Sequence, residues 1–185
     1  MSEQSRFSRN ELLFGREGQA KIAATTVAIV GLGGLGSHIA QQLAYLGTEE
    51  FVLIDADRVT VSNLNRMIGA TLDDVAAATP KVLVARRQVQ TIRPDARVRS
   101  FDAWIVDAEA RAAAGSCNVL FGCLDEDPPR LRLVELSSTN KLAYFDLATD
   151  VSEEAGSTAG GSLRQSTASD ACPACRCWIR RLCAR

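Results

Sequence analysis

Residues 25–36, with the sequence Thr-Thr-Val-Ala-Ile-Val-Gly-Leu-Gly-Gly-Leu-Gly, decide the fold. The first six are β-branched or apolar, and such a run that breaks at a glycine predicts a buried parallel strand. Beyond the glycines an apolar residue recurs at helical spacing, and Gly47 follows as a helix stop; the recurring positions are Leu35, Ile39, Leu43 and Leu46. The segment therefore predicts a strand, a glycine turn and an amphipathic helix in succession.

Strand and helix patterns alternate along the rest of the chain as far as residue 147. Further strands are predicted over 51–55, 98–101, 118–123 and 142–147, further helices over 81–92 and 129–136, and two short helical pieces over 9–15 and 17–23. This alternation indicates right-handed βαβ crossovers. The predicted fold is α/β, Rossmann-like and doubly wound, with a mainly parallel sheet and helices on both faces.

Composition sets limits on location and partners. The 185 residues are 46% hydrophobic and carry a formal net charge of -1, which is typical of a soluble globular protein and argues against nucleic acid or an anionic membrane as partner. The N-terminus lacks the apolar run of a secretory signal, and no apolar run approaches the length that spans a bilayer. We therefore expect a cytoplasmic protein.

The glycine loop is the first functional signal. Gly31, Gly33, Gly34 and Gly36 stand between a predicted strand and a predicted helix, where glycines let backbone amides approach a phosphate at a helix N-terminus. Asp55 ends the next predicted strand, where an acid accepts hydrogen bonds from ribose hydroxyls. The alternatives are a structural turn and a capping or ion-paired aspartate. Either NAD or ATP would fit these two features.

Residues 55–66, DADRVTVSNLNR, separate the two ligands. Ser62, Asn63 and Arg66 supply hydrogen-bonding groups and a cation suited to a triphosphate beside the ribose, and a dehydrogenase does not need them. The pattern D-x-D-x-V-x-x-S-N-L-x-R resembles the signature of the ThiF/MoeB/HesA superfamily. Members of that superfamily are relatives of the ubiquitin-activating enzyme and adenylate ubiquitin-like proteins.

Other parts of the chain resemble the same family in the same order. Residues 14–21, FGREGQAK, are similar to its FG-x-x-GQ-x-K segment, and Lys81 matches its G-x-x-K lysine although Ala78 replaces the glycine. Residues 122–130, GCLDEDPPR, are similar to its C-x-D-N-x-x-x-R motif, with Glu126 in place of asparagine. The resemblance covers residues 9–150.

The resemblance implies an activity and roles for particular residues. The activity is ATP-dependent adenylation of the C-terminal carboxylate of a ubiquitin-like or sulfur-carrier protein ending in Gly-Gly, with release of pyrophosphate, by a homodimer that uses Mg²⁺. The implied catalytic residues are Arg9, Arg66, Lys81 and Asp125, with Arg9 often reaching the phosphates of the other subunit and Asp125 binding magnesium. The implied nucleotide-binding residues are Gly31, Gly33, Gly34, Gly36, Asp55, Asp57, Ser62, Asn63, Arg66 and Lys81.

The last segment departs from the family. Residues 1–150 are predicted to form an incomplete adenylation domain, whereas residues 151–185 are Gly/Ser-rich and then Cys-rich, and are predicted to be irregular. Cys172 and Cys175 form a C-x-x-C pair, but family zinc sites use two such pairs, so zinc is a secondary expectation. A truncated or frame-altered product is expected, which leaves a non-catalytic ATP-binding homologue as a rival function. An NAD-dependent oxidoreductase is a weaker rival, because no catalytic His or Tyr-x-x-x-Lys arrangement is present.

Overall fold

The computed structural model describes residues 5–150 and 160–166, which fold around one twisted sheet. Its strands are β1 (Thr26–Val30), β2 (Glu50–Ile54), β3 (Arg97–Phe101), β4 (Val119–Gly122), β5 (Ala143–Asp150) and β6 (Gly160–Ser166). The helices are α1 (Ser8–Ala24), α2 (Gly34–Leu46), α3 (Leu72–Ala76), α4 (Lys81–Ile92), α5 (Ala108–Gly115) and α6 (Asp127–Asn140), with a 3-10 turn at Val61–Asn63. The strand order is β3-β2-β1-β4-β5-β6.

Strands β1 to β5 run parallel, and β6 is antiparallel to β5. Successive residues of a strand face opposite sides of a sheet. Val27 and Ile29 accordingly pack with α2 and α4, while Ala28 and Val30 pack with α5 and α6. Both faces of the sheet are therefore covered, which confirms the predicted Rossmann-like, doubly wound fold.

The strand order reverses between β1 and β4. From β1 the chain moves outward through β2 to β3, and it then returns to the other side of β1 to form β4 and β5. Loops that leave the carboxyl ends of β1 and β4 therefore diverge and open a crevice, which is where α/β sheets bind ligands.

Helix α1 has a break at Gly15, where φ is 72° and ψ is 166°. The break separates the two short helical pieces that the sequence predicts. Asn10 and Gln19 lie on either side of it, and their amide nitrogens donate to the carbonyl of Leu46 at 3.4 and 2.8 Å. Helix α1 is therefore attached to the C-terminal end of α2.

The structure differs from the sequence prediction in part of the last segment. Gly160–Ser166 form β6 rather than irregular chain, and they pair with β5 from Tyr144 opposite Ser166 to Asp150 opposite Gly160. Main-chain hydrogen bonds alone can add a strand at a sheet edge, so its sequence need not show apolar alternation. Cys172 and Cys175, with the zinc prediction, lie outside the described residues. Among the described helices, none has the length and apolar character needed to cross a membrane.

Candidate active site

A cavity of about 320 Å³ lies at the carboxyl edge of the sheet, where β1 and β4 diverge. It is bordered by the loops that follow β1, β2, β3 and β4, and by the segment that joins β2 to α4. Most of the predicted site residues line it, namely Gly31, Gly33, Gly34, Asp55, Asp57, Asn63, Arg66, Lys81 and Asp125. Residues that are more than 90 positions apart in the sequence thus meet in one crevice.

Two of the loop glycines are required by the packing of the protein itself. Gly31 has a φ of +87°, and a Cβ there would lie 2.5 Å from the carbonyl oxygen of Cys123. A Cβ on Gly36 would overlap the carbonyl oxygen of Gly31. These glycines hold the loop, the start of α2 and the end of β4 in close contact. Gly36 therefore supports the cavity from below and does not line it.

The other two loop glycines face the cavity. A Cβ on Gly34 would lie 3.2 Å from Cδ of Arg66, because the stem of that arginine packs over the loop. A Cβ on Gly33 would meet no described atom within 4 Å. The first amides of a helix have no carbonyl partner within it and favour an anion. Gly33 is therefore the position at which a ligand can approach the backbone at the start of α2.

Asp55 joins two of the loops. Its Oδ2 accepts from the amide of Leu32 at 2.6 Å and its Oδ1 accepts from the amide of Asp57 at 2.8 Å. Burial raises the pKa of Asp55, although the two amides and Lys81 act in the opposite direction. A carboxylate oxygen can accept more than one hydrogen bond. Asp55 can therefore retain its hydrogen bonds from both amides and still accept one from a ribose hydroxyl.

Lys81 begins α4 and extends its side chain to the cavity. Its ammonium lies 2.7 Å from Oδ2 of Asp57, and its backbone amide donates to the Asp57 carbonyl at 2.9 Å. Only 12% of the lysine side chain is exposed, against 52% of the Asp57 side chain. Asp57 therefore orients Lys81, and the cation stands at the cavity wall.

The segment after β2 places Asn63 and Arg66. The Oδ1 atom of Asn63 accepts from the Thr60 amide at 3.0 Å, and no described partner is found for its Nδ2. The exposed guanidinium of Arg66 donates to the Ser62 carbonyl and, at 3.1 Å, to Oδ1 of Asn65. The Ser62 hydroxyl contacts Thr60 instead of lining the cavity, so Ser62 supports Arg66 through its backbone.

Asp125 and Glu126 form the acidic wall of the cavity, between β4 and α6. The described residues contain no group of three or more His, Cys, Asp or Glu side chains that could hold a metal ion. Magnesium, however, is commonly bound by one or two carboxylates together with phosphate oxygens of the substrate. Asp125 fits that mode of binding, in which the nucleotide completes the coordination.

A buried polar network behind this wall was not predicted from the sequence. Arg130 donates to both oxygens of Asp146 at 3.1 and 2.5 Å, and the Tyr144 hydroxyl donates to Asp146 at 3.1 Å. Burial, and then the Asp146 carboxylate, raises the pKa of Tyr144, so the hydroxyl remains a donor. The network joins α6 to β5 and so fixes the loop that carries Asp125. The sequence signal for this pair was an aspartate within an apolar strand, because a charged side chain is almost never fully buried unless it is paired.

Arg9 does not lie at the cavity. It is exposed on α1, next to Asn10, which bonds to the last residue of α2. The cavity lies at the first residue of α2, and a helix of 13 residues is about 20 Å long. The Arg9 side chain is too short to cover that distance, so within one chain it cannot contact a ligand in the cavity.

The fold and the position of the cavity define a Rossmann-like α/β domain with its site at the topological switch point. The ThiF family model matches residues 7–156. The chain therefore belongs to the ThiF family, as the sequence motifs predicted.

Curated relatives agree with this assignment. The chain is 32% identical over 130 residues to the sulfur carrier protein adenylyltransferase of Thermus thermophilus, which covers 69% of this chain and 47% of that protein. It is 35% identical over 134 residues to the molybdopterin-synthase adenylyltransferase of Escherichia coli, covering 71% and 53%. It is 40% identical over 92 residues to the tRNA threonylcarbamoyladenosine dehydratase of Bacillus subtilis, covering 50% and 35%. The chain thus spans about half the length of the curated relatives it matches.

Solved structures show the same fold. The E. coli tRNA N6-threonylcarbamoyladenosine dehydratase superposes with a TM-score of 0.69 at 30% identity, over 76% of this chain and 58% of that one. E. coli MccB with AMPCPP and MccA superposes with a TM-score of 0.68 at 25% identity, over 80% and 44%. At family level the chain is related to adenylyltransferases.

Proposed function

We propose that this chain binds Mg-ATP in the cavity and adenylates the C-terminal carboxylate of a ubiquitin-like or sulfur-carrier protein that ends in Gly-Gly. The observation that carries the proposal is the convergence of Lys81, Arg66 and the open backbone at Gly33 on one cavity, which Asp125 also lines. Two cations and free helix amides suit a triphosphate, and a carboxylate suits its metal ion. The sulfur carrier protein adenylyltransferase and the molybdopterin-synthase adenylyltransferase described above support the choice of a carrier protein as substrate.

The reaction needs no nucleophile from the protein. A carboxylate oxygen of the carrier attacks the α-phosphorus of ATP, the bond from that phosphorus to the bridging oxygen breaks, and pyrophosphate leaves with its electron pair. The product is an acyl-adenylate. Burial raises the pKa of the Cys123 thiol to about 12 and that of Cys117 to about 11, so both stay protonated at neutral pH. Neither described cysteine is suited to attack the substrate.

The protein then contributes position and charge. In this proposal Arg66 and Lys81 neutralise the phosphates, the amides near Gly33 bind a phosphate oxygen, Asp55 accepts from the ribose, and Asp125 holds magnesium. Preorganised cations of this kind stabilise the charge that develops on the leaving pyrophosphate. Magnesium supplies Lewis-acid polarisation of the phosphate oxygens when bound.

Arg9 has a place in the proposal only if a second copy supplies it. Because α1 is attached to the far end of α2, Arg9 could contact phosphates only in a neighbouring subunit. A homodimer is therefore part of the proposal. Mixing an Arg9→Ala chain with a Lys81→Ala chain tests it, since a shared site would restore activity in a fraction of the mixed dimers.

Carrier-dependent exchange of radiolabelled pyrophosphate into ATP tests the activity. Asp125→Ala should abolish the exchange without changing the unfolding temperature, because Asp125 is exposed and makes no packing contact in the core. Asp73→Ala is the matched control, since Asp73 is also exposed, lies in the first turn of α3 and does not line the cavity. Undiminished exchange by Asp125→Ala would defeat the assignment. Exchange that requires a tRNA in place of a carrier protein would defeat the proposed substrate.

A further inference from the structure

The loops around the cavity stand in the order of the strands that they follow. Trp104 follows β3, Asp55 follows β2, the glycine loop follows β1, and Asp125 follows β4. Neighbouring strands are about 4.8 Å apart, so the loops of β3 and β4 are separated by about 14 Å. A nucleotide with its phosphates at the glycine loop and its ribose at Asp55 therefore extends its base toward Trp104.

The backbone around Trp104 is fixed. Its amide donates to Oδ2 of Asp107 at 2.9 Å, and the amide of Asp107 donates back to the Trp104 carbonyl at 3.0 Å. Two residues before Trp104, both carboxylate oxygens of Asp102 accept from the Arg58 guanidinium at 2.7 Å. This ion pair attaches the loop after β3 to the loop after β2. The loop is thus held on both sides of the tryptophan.

Packing in the core does not account for a tryptophan at position 104. Trp104 is 58% exposed and belongs to none of the buried clusters, whereas the next residue, Ile105, is 4% exposed and packs in the core. A tryptophan that stabilises a fold buries most of its large ring. Its chain neighbours Ala103 and Ile105, which also line the cavity, are apolar. This end of the cavity therefore has a flat aromatic surface beside apolar side chains that cannot form hydrogen bonds with the edge of a base.

We propose that Trp104 stacks on the nucleobase and that the site selects its nucleotide by stacking strength, favouring purine over pyrimidine nucleotides. This inference rests on the proposed function, since it requires a nucleotide in the cavity. Stacking tolerates different bases because every base has a π-face, and larger rings stack more strongly. Trp104 is thus a binding residue that influences specificity, and it takes no part in the chemical step.

Calorimetric titration of the full chain with Mg-ATP tests the inference. Alanine in place of a stacking aromatic weakens base binding roughly tenfold to a hundredfold, and we expect that range for Trp104→Ala. Trp104→Phe should retain most of the affinity. Trp104→Leu should bind as weakly as Trp104→Ala, because leucine keeps apolar bulk without a π-face. Tyr45→Ala is the matched control, since Tyr45 is 56% exposed and lies at the other end of α2.

Fluorescence gives a second readout that does not depend on folding of a Trp104 variant. The sequence contains one other tryptophan, Trp178, so Trp178→Phe leaves Trp104 as the only indole. Its emission should be quenched by Mg-ATP and less strongly by Mg-UTP at equal concentration. Equal affinity of the parent chain and Trp104→Ala for Mg-ATP, or parental affinity of Trp104→Leu, would overturn the stacking role alone. Failure of the parent chain to bind Mg-ATP would overturn the proposed function and this inference together.

Discussion

The ammonium of Lys81 lies 2.7 Å from the carboxylate of Asp57, and the same two residues are joined again by a backbone hydrogen bond of 2.9 Å. The first residue of α4 and the loop after β2 therefore behave as one unit. Because the lysine side chain is largely buried and the aspartate is half exposed, a phosphate that enters the cavity meets an ammonium already directed toward it. This arrangement avoids ordering a flexible lysine at the moment of binding.

Removal of this cation should weaken nucleotide binding. A hydrogen bond to a charged group contributes about 1.5–3 kcal/mol, so Lys81→Ala should weaken Mg-ATP binding by roughly 10- to 150-fold in a calorimetric titration. Lys21→Ala is the control, because Lys21 is exposed on α1, pairs with Glu17 and does not line the cavity. Equal losses in the two variants would show that net charge, and not the position of Lys81, governs binding.

Alanine substitutions at two glycines of the loop should affect two different properties, fold stability and nucleotide binding. Gly36→Ala should destabilise the fold by about 1–3 kcal/mol or more, because its Cβ overlaps the Gly31 carbonyl oxygen and overpacking of a close contact is unfavourable. Gly33→Ala should unfold in urea like the parent chain but bind Mg-ATP more weakly, because its Cβ enters the open cavity. Urea titration and calorimetry of both variants separate the two effects. Normal binding by Gly33→Ala would show that the backbone there does not approach the ligand.

The network behind the acidic wall should stabilise the fold. Asp146→Ala removes the buried carboxylate that accepts from two nitrogens of Arg130, and breaking such a buried pair typically destabilises by about 3–5 kcal/mol. Tyr144→Phe removes one hydrogen bond to the same carboxylate and should lower stability by about 1 kcal/mol. Glu135→Ala breaks an exposed pair with Arg132 and should change stability by less than about 0.5 kcal/mol. Urea-unfolding free energies in any other order would contradict this interpretation.

Asp74 should make stability depend on acid pH. Hydrogen bonds from Arg87, followed by those from Thr71, hold the pKa of Asp74 well below its ordinary value of 3.8 despite its burial. The folded state therefore favours the carboxylate, so this contribution is complete above pH 3.8 and is lost as the pH falls from there toward the folded-state pKa.

Comparison with Asp74→Asn measures that contribution. Hydrogen bonds to a charged group contribute about 1.5–3 kcal/mol, which should be the loss of unfolding free energy in Asp74→Asn at pH 7. The difference between the parent chain and the variant should shrink as the pH is lowered below 3.8. Asp73→Asn, at the exposed neighbouring position, should show neither effect. A difference between parent and Asp74→Asn that grows at low pH would reverse the assigned sign.

The fold was predictable because its central strands carry strong local signals. β1 and β2 are continuous apolar runs that end at a glycine or an acid, and α2 has clear helical periodicity. Helices α3 and α5 were not predicted. α3 has only five residues and α5 is mostly alanine, so neither carries a stripe of large apolar side chains. β6 was missed because an edge strand depends on main-chain pairing more than on its own pattern.

The site was predictable only in part. The motifs identified the residues that meet in the cavity, because the carboxyl ends of parallel strands share one edge of a sheet. They did not show that Ser62 acts through its backbone or that Arg9 lies at the far end of α2. Trp104 and the partnership of Arg130 with Asp146 were also missed, since each depends on contacts between segments that no short motif contains.

The contacts of Gly31 and Gly36 also determine what can move when a ligand arrives. Gly31 lies in close contact with the Cys123 carbonyl, and Gly36 lies in close contact with the Gly31 carbonyl. The Gly31 amide also donates a hydrogen bond to the Ile54 carbonyl at 2.9 Å. The floor of the cavity is thus a rigid junction of three strands and a helix. Adjustment to a ligand falls to the exposed side chains at its rim, chiefly Arg66 and Trp104. We therefore expect the main chain at the cavity floor to keep its position when a ligand binds, and the side chains at the rim to adjust by rotation.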